Sequence, residues 1–313
     1  VVGPISSAAR RISIMGICNK VGGIVAPPVL GSLILVNADK LKTELASLEG
    51  PARGALLDER AALVVMPYTV LGLGLIAAAI FIRLTPLPPI AEDTPTRDTG
   101  HASVWKHPQL ILGVIALFVY VWAEVLAGDS IPIYAERLGT PLDTAKVLTS
   151  LTLSAMLLGY IAGIITIPKY LSQAKALAAS CAVALLCVAG IVLSDPGSTA
   201  TVWMYDFNAF AGRTVELPIT VICVALLGLG NALMWPAIWP LAVDGIGGAL
   251  RTGSAMLIMA ILGGALALPV WTAMSPGASV IASQNAYLLL LPFYLYIGWY
   301  AMRGHLLRAK AAQ

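Results

Sequence analysis

The sequence predicts an all-α integral membrane protein with about eight transmembrane helices. Three observations carry that prediction. Of its 313 residues, 58% are hydrophobic and only 11% are charged, against about 25% charged in a typical soluble domain. The mean hydropathy is +0.86. The apolar residues also gather into eight stretches, each near the roughly 20 residues that a helix needs to cross a bilayer. Several stretches contain Gly or Pro, which lipid tolerates where neighbouring helices re-satisfy the backbone.

The first span, 12–36, starts behind Arg10 and Arg11 and holds Asn19, Lys20, a Gly22-Gly23 pair and Pro27. The second, 62–83, closes on Arg83. The third, 109–131, follows Lys106 and contains Glu124 and Asp129. The fourth and fifth, 147–168 and 173–194, flank a short turn with Lys169. The sixth, 217–243, contains Asn231, Trp235 and Trp239. The seventh, 253–274, follows Arg251, and the eighth, 286–302, ends at Arg303. Between the second and third spans, Thr85-Pro86-Leu87-Pro88-Pro89 leads into Glu92, Asp93, Arg97 and Asp98, the composition of a linker. The expected organisation is therefore 1–84, a two-helix unit; 85–108, a linker; and 109–313, a six-helix bundle with a short tail. The loop 37–61 has room for a short surface helix. The loop 195–216 carries Trp203, Tyr205 and Phe207, which suit a membrane–water interface.

Placing the first residues in the cytoplasm puts most of the basic residues on that side, among them Arg10, Arg11, Arg83, Lys106, Lys175, Arg251 and Arg303. An even number of spans then puts the C-terminus there too, with the linker. The net charge of +3 is scattered, with no basic stripe, so nucleic acid is not an expected partner. Cys18, Cys181, Cys187 and Cys223 lie in apolar segments without metal-ligand spacing and read as packed thiols. His101, His107 and His305 fall in loops or the tail, and no paired-carboxylate motif sits on a span, which argues against a membrane-embedded enzyme. No Walker-type phosphate loop occurs, and no cofactor or metal is expected.

The first and seventh spans look like copies. Arg11 precedes Gly22-Gly23 and Pro27, and Arg251 precedes Gly263-Gly264 and Pro269. The first span then matches the fifth helix of the six behind the linker. The two spans before the linker become helices five and six of an earlier group of six, and the chain, which begins at Val1, is expected to be an N-terminally truncated twelve-helix protein.

Several local words support a family resemblance. Ser6-Ser-Ala-Ala-Arg-Arg-Ile-Ser-Ile-Met-Gly-Ile-Cys-Asn-Lys20 resembles the fifth-helix entry of the bacterial glucose/galactose transporters, in the fucose permease-like group of sugar:cation symporters within the major facilitator superfamily. Tyr120-Val-Trp-Ala-Glu124-Val resembles that group's seventh-helix motif, with Trp122 in place of glycine. Gly228-Leu-Gly-Asn231-Ala-Leu-Met-Trp-Pro236 resembles its tenth, with Trp235 in place of phenylalanine. The resemblance implies the major facilitator fold, here the last two helices of the N-terminal bundle plus the complete six-helix C-terminal bundle. It implies transport of a monosaccharide through a bacterial inner membrane, coupled to H⁺ or Na⁺ by alternating access. The group's coupling carboxylates lie on helices one and four, which this chain does not include, so the chain alone is expected to be inactive. An amino sugar or another small solute is the alternative cargo, and a non-transporting remnant the alternative role.

A charged side chain at the centre of a membrane helix costs about 2.5–3.5 kcal/mol on insertion scales, so such residues tend to face the bundle interior. Lys20 lies nine residues beyond Arg11, roughly 13 Å deep at about 1.5 Å per residue. The resemblance makes its neighbour Asn19 a ligand for sugar hydroxyls, with Lys20 lining the cavity or pairing with a carboxylate. Glu124 can bind hydroxyls, take part in proton coupling, or pair with Lys20. Asp129 lies nearer water and is the weaker candidate. Asn231, Trp235 and Trp239 are spaced i, i+4, i+8 on one helical face, where indoles stack on sugar C–H faces and the amide reads hydroxyls.

Overall fold

A helix satisfies its backbone hydrogen bonds within one segment, which lipid demands. The computed structural model describes residues 5–34, 38–86, 104–167, 169–206 and 211–307. Among these residues, eight helical segments are long and apolar enough to cross a membrane. Most of the expected linker (87–103), Phe207, His101 and the tail 308–313 lie outside the described residues.

Before the linker come α1 (Ile5–Ile34), the short α2 (Ala38–Ser47) and α3 (Gly50–Leu84). Helix α2 is the surface helix that the sequence allowed in 37–61. Helix α3 starts at Gly50, whose φ is 61°, with Pro51 at its first turn, and runs well beyond the apolar stretch that announced it. Both Pro and a free backbone N–H are at home there. After the linker come α4 (Pro108–Arg137), α5 (Leu142–Ala145), α6 (Leu148–Thr166) and α7 (Gln173–Leu193), the last capped by the Ser172 hydroxyl accepting from the Lys175 N–H.

Among the described residues, 195–206 and 211–216 hold no plain loop. They form most of an antiparallel hairpin, β1 (Thr199–Asp206) and β2 (Ala211–Pro218), with Val202 opposite Val215 and Trp203 opposite Thr214. Trp203 and Tyr205 are exposed on it. The chain continues through α8 (Ile219–Asn231) and α9 (Met234–Val243), which share one span. Next come α10 (Leu250–Met259) and α11 (Gly263–Ala273), joined by a 3₁₀ turn, and then α12 (Val280–Ala286) and α13 (Leu290–Met302), joined by another.

The core lies behind the linker, around α4. Leu110, Leu117, Tyr120, Leu126, Ile131 and Tyr134 are fully buried on that helix. Lipid offers no hydrophobic drive between helices, so close packing and interhelical hydrogen bonds must hold them. Both are present. Tyr296 and Tyr300 on α13 donate to the carbonyls of Leu112 and Gln109 on α4 at 3.0 and 3.2 Å. Gln284 on α12 donates to the Ile191 and Ser194 carbonyls at 2.6 and 2.8 Å. A methyl at Gly228 would collide with the Thr152 carbonyl of α6, and one at Gly263 with the Phe118 carbonyl of α4. The repeat's other glycine pair differs: Gly23 sits against Leu153, whereas Gly22 faces open space. Helix α3 touches little else and is exposed along its length, from Val65 and Met66 to Phe81 and Leu84.

Gly228→Val should lower stability by about 1–3 kcal/mol by forcing α8 off α6, whereas Gly22→Ala should stay within about 0.5 kcal/mol of the parent. Thermal unfolding of the detergent-solubilised protein checks both.

Candidate functional site

One face of α1 carries Ile12, Met15, Gly16, Asn19 and Lys20, the i, i+3, i+4, i+7, i+8 pattern that aligns side chains on a helix. That face borders a cavity of about 620 Å³. Helix α4 contributes Tyr120, Val121, Glu124 and Val125 to the opposite wall, again at i, i+4 spacing. Tyr160 comes from α6, Trp235 and Trp239 from α9, and Ile258 and Ile261 from α10 and its 3₁₀ turn. The volume falls in the range of about 300–1,000 Å³ usual for small-molecule sites.

Lys20 and Glu124 meet across this cavity. The Lys20 ammonium donates to Glu124 Oε1 at 2.5 Å, and the two side chains keep 13% and 20% of their exposure. The pair joins a helix before the linker to one after it. Each charge removes the cost of leaving the other alone in a poorly solvated place. The Tyr120 hydroxyl neighbours the same carboxylate, and Tyr160 packs its ring on Gly16 of α1. Asn19, one residue before Lys20, is exposed along the cavity.

The far wall is aromatic. Trp235 and Trp239 stack at 5.8 Å with an interplanar angle of 26°, and Trp235 meets Tyr120 at 6.4 Å. Both indoles are half-buried and line the cavity. An amide and an ion pair facing an indole surface can hold a small polyhydroxyl molecule, whose hydroxyls hydrogen-bond while its C–H face stacks.

Asn231 does not join them. It is fully buried within the six helices behind the linker, where its Oδ1 accepts from the Tyr294 hydroxyl at 2.9 Å. Its Nδ2 has no partner among the described residues. The i, i+4, i+8 register fails because the helix is interrupted between α8 and α9 at residues 232–233. Pro236 sits just beyond that break and lacks the N–H that would bond back across it. Asp129 is exposed on α4 and is not among the residues lining the cavity. Sequence reasoning did not single out Tyr120 or Tyr160 as site residues. Tyr120 lies four residues before Glu124, a spacing that places both on one helical face.

Residues 2–270 match the family model described as the Major Facilitator Superfamily. The chain belongs to the Major Facilitator Superfamily. This is a family of transporters, not enzymes, and the membrane-enzyme reading falls with that membership. Among superfamily relatives, a glucose/galactose transporter of Brucella abortus is 29% identical over 97% of this chain and 65% of its own length. A putative glucose/galactose transporter of Helicobacter pylori is 25% identical over 95% of this chain and 66% of its own. The L-fucose-proton symporter of Escherichia coli is 25% identical over 91% and 62%. The chain thus spans just under two thirds of the length of these relatives. The crystal structure of the E. coli fucose:proton symporter FucP superimposes with a TM-score of 0.68 at 20% identity, covering 96% of this chain and 70% of that one, and shows the shared superfamily fold.

Lys20→Met or Glu124→Gln alone should cost about 1–3 kcal/mol. This is less than for a fully buried pair, because both side chains keep some exposure. The double substitution should cost less than the sum of the two. Unfolding curves of the four proteins in one detergent give the coupling directly.

Proposed function

We propose that this chain serves the secondary active transport of a monosaccharide of the glucose/galactose kind across a bacterial cytoplasmic membrane, coupled to H⁺ by alternating access. The observation that carries this reading is the cavity between α1 and the helices behind the linker. There Asn19 and the Lys20–Glu124 pair face the stacked indoles of Trp235 and Trp239. The names of the glucose/galactose and fucose–proton relatives support the same cargo class and favour H⁺ over Na⁺.

On this reading α1 and α3 are the last two helices of a six-helix N-terminal bundle. Residues 85–108 are its cytoplasmic linker, and 109–313 form the complete C-terminal bundle and tail. The exposed apolar length of α3 and the open side of Gly22 support it, since further helices of the N-terminal bundle would cover them. The chain by itself then supplies only part of the chamber wall and does not move sugar alone. Both ends lie in the cytoplasm on this reading, which the excess of Lys and Arg on that side supports.

Binding of radiolabelled glucose or galactose to the purified chain in lipid nanodiscs tests the cargo. We expect saturable binding that unlabelled monosaccharides displace and that Asn19→Ala or Trp235→Ala weakens about tenfold or more, the loss of one or two good contacts. The absence of saturable binding for any monosaccharide contradicts the reading. Displacement by amino sugars in preference to neutral ones would move the cargo to that class, with Glu124 taking the ammonium. Binding strengthened by acid rather than by Na⁺ assigns the ion. Gradient-driven uptake by the chain alone in proteoliposomes would overturn the domain assignment and leave the cargo standing. A fluorescent protein fused after Gln313 should fold and fluoresce in bacteria, as it does on the cytoplasmic side.

A further inference from the structure

The contacts between the helices before the linker and those after it differ along α1. Its first half borders the chamber. Its second half lies against α6 and the turn before it: the Ser150 hydroxyl donates to the Ile24 carbonyl at 2.7 Å and the methylenes of Lys146 rest on Gly31, beside a smaller cavity of about 300 Å³ that Ile24, Pro28 and Ser150 border. Beyond the end of α1, two aspartates cap each other's helices. The backbone N–H groups of Ala38 and Asp39, at the start of α2, donate to the Asp143 carboxylate at 3.2 and 3.5 Å. The N–H groups of Leu142 and Asp143, at the start of α5, donate to the Asp39 carboxylate at 2.8 and 3.2 Å. Lys146 binds Asp143 at 2.7 Å, and Lys42 of α2 binds Glu136 near the end of α4 at 2.5 Å. The hydrogen bond from Lys42 to Glu136, and then the carboxylate's charge, raise the pKa of that ammonium.

The arrangement is reciprocal. Each carboxylate sits where the other's segment presents backbone N–H groups that have no partner within their own turn, and the bonds are charge-assisted. Drawing the two groups of helices apart at this end breaks both sets of caps together. It also strands α2, a helix of 10 residues, too short to hold its form without a partner. A contact of this kind is made or broken as a unit, which is what a switching interface needs.

We propose that the Asp39–Asp143 clasp, with Lys42–Glu136 beside it, is the latch that holds the chamber closed at the α2 end and must release before solute can enter from that side. The proposal rests on the transport reading above. It names the residues that gate this chamber, where that reading names the residues that line it.

The test places a reporter under the latch. Ser150→Cys, on a Cys18→Ala, Cys223→Ala background, puts a thiol that is 8% exposed between α1 and α6, at the edge of the smaller cavity, so that the parent's own labelling rate is the baseline. Its rate of labelling by a membrane-impermeant maleimide is measured with the chain in nanodiscs. We expect Asp39→Ala and Asp143→Ala each to raise that rate about tenfold or more, the shift that losing a charge-assisted hydrogen bond gives. The double variant should label no faster than the faster single one. The milder Asp39→Asn, Asp143→Asn and Lys42→Ala should raise it less, and they serve if an alanine variant does not fold. An unchanged rate in every variant overturns the latch. So does multiplication of the two single effects in the double variant, or an equal rise at Ser180→Cys, buried on α7 away from the clasp. Galactose binding by the parent is read in the same membranes. Its absence defeats the transport reading, while the labelling rates still decide whether the clasp opens as one unit.

Discussion

A lone charge in the middle of a bilayer is costly, and Lys20 and Glu124 answer that cost for each other. Their bond is the constraint on which the rest of the site depends. It fixes which face of α1 turns toward α4 and brings Asn19 to the cavity rim. It also explains why tyrosines, rather than leucines, stand beside it: Tyr120 and Tyr160 give the wall a polar edge while keeping the bulk that packing against α1 requires. A pair held by helices on either side of residues 87–103 can also be separated. Any solute that hydrogen-bonds to one partner competes with the other.

The two sides of this contact are built differently. Behind the linker the helices are tied by glycine approaches and by tyrosine and glutamine donors to helix carbonyls. That wall is closely tied, with Trp235 and Trp239 stacked on it. Before the linker, α1 is held by the ion pair, by Ser150 and by the reciprocal aspartate caps, while α3 packs against little. A closely tied wall and a separable contact suit the transport reading proposed above.

The helices were legible because lipid allows few other ways to satisfy a backbone, and eight apolar stretches name eight spans. Their ends were less so. Hydropathy stops where polar residues begin, but 50–61 is polar and still helical, so α3 starts at Gly50 rather than near residue 62. The hairpin is hard to see in the sequence because Trp203 and Tyr205 also suit a membrane–water interface. The alternating β-branched and aromatic residues of Thr199–Asp206, with Arg213-Thr-Val-Glu216 after them, carried a strand signal. Lys20, Glu124, Trp235 and Trp239 were found by one rule, that polar or amphipathic side chains in a span face inward, and the structure gathers them. Asn231 obeys the same rule yet turns to Tyr294, because the break ahead of Pro236 resets the helical register and sequence spacing assumes an unbroken helix. The reciprocal caps of Asp39 and Asp143 could not be read at all, since a carboxylate a hundred residues distant leaves no local trace.

The most direct measurement is a density map of the protein equilibrated with saturating galactose. If the charges are buried because they border a sugar chamber, a hexose ring should lie flat on Trp235 with its hydroxyls in hydrogen-bond reach of Asn19 and of Lys20 or Glu124. A map in which that chamber stays empty or takes up a lipid tail, with Lys20 still bonded to Glu124, would show the pair to be a structural tie alone.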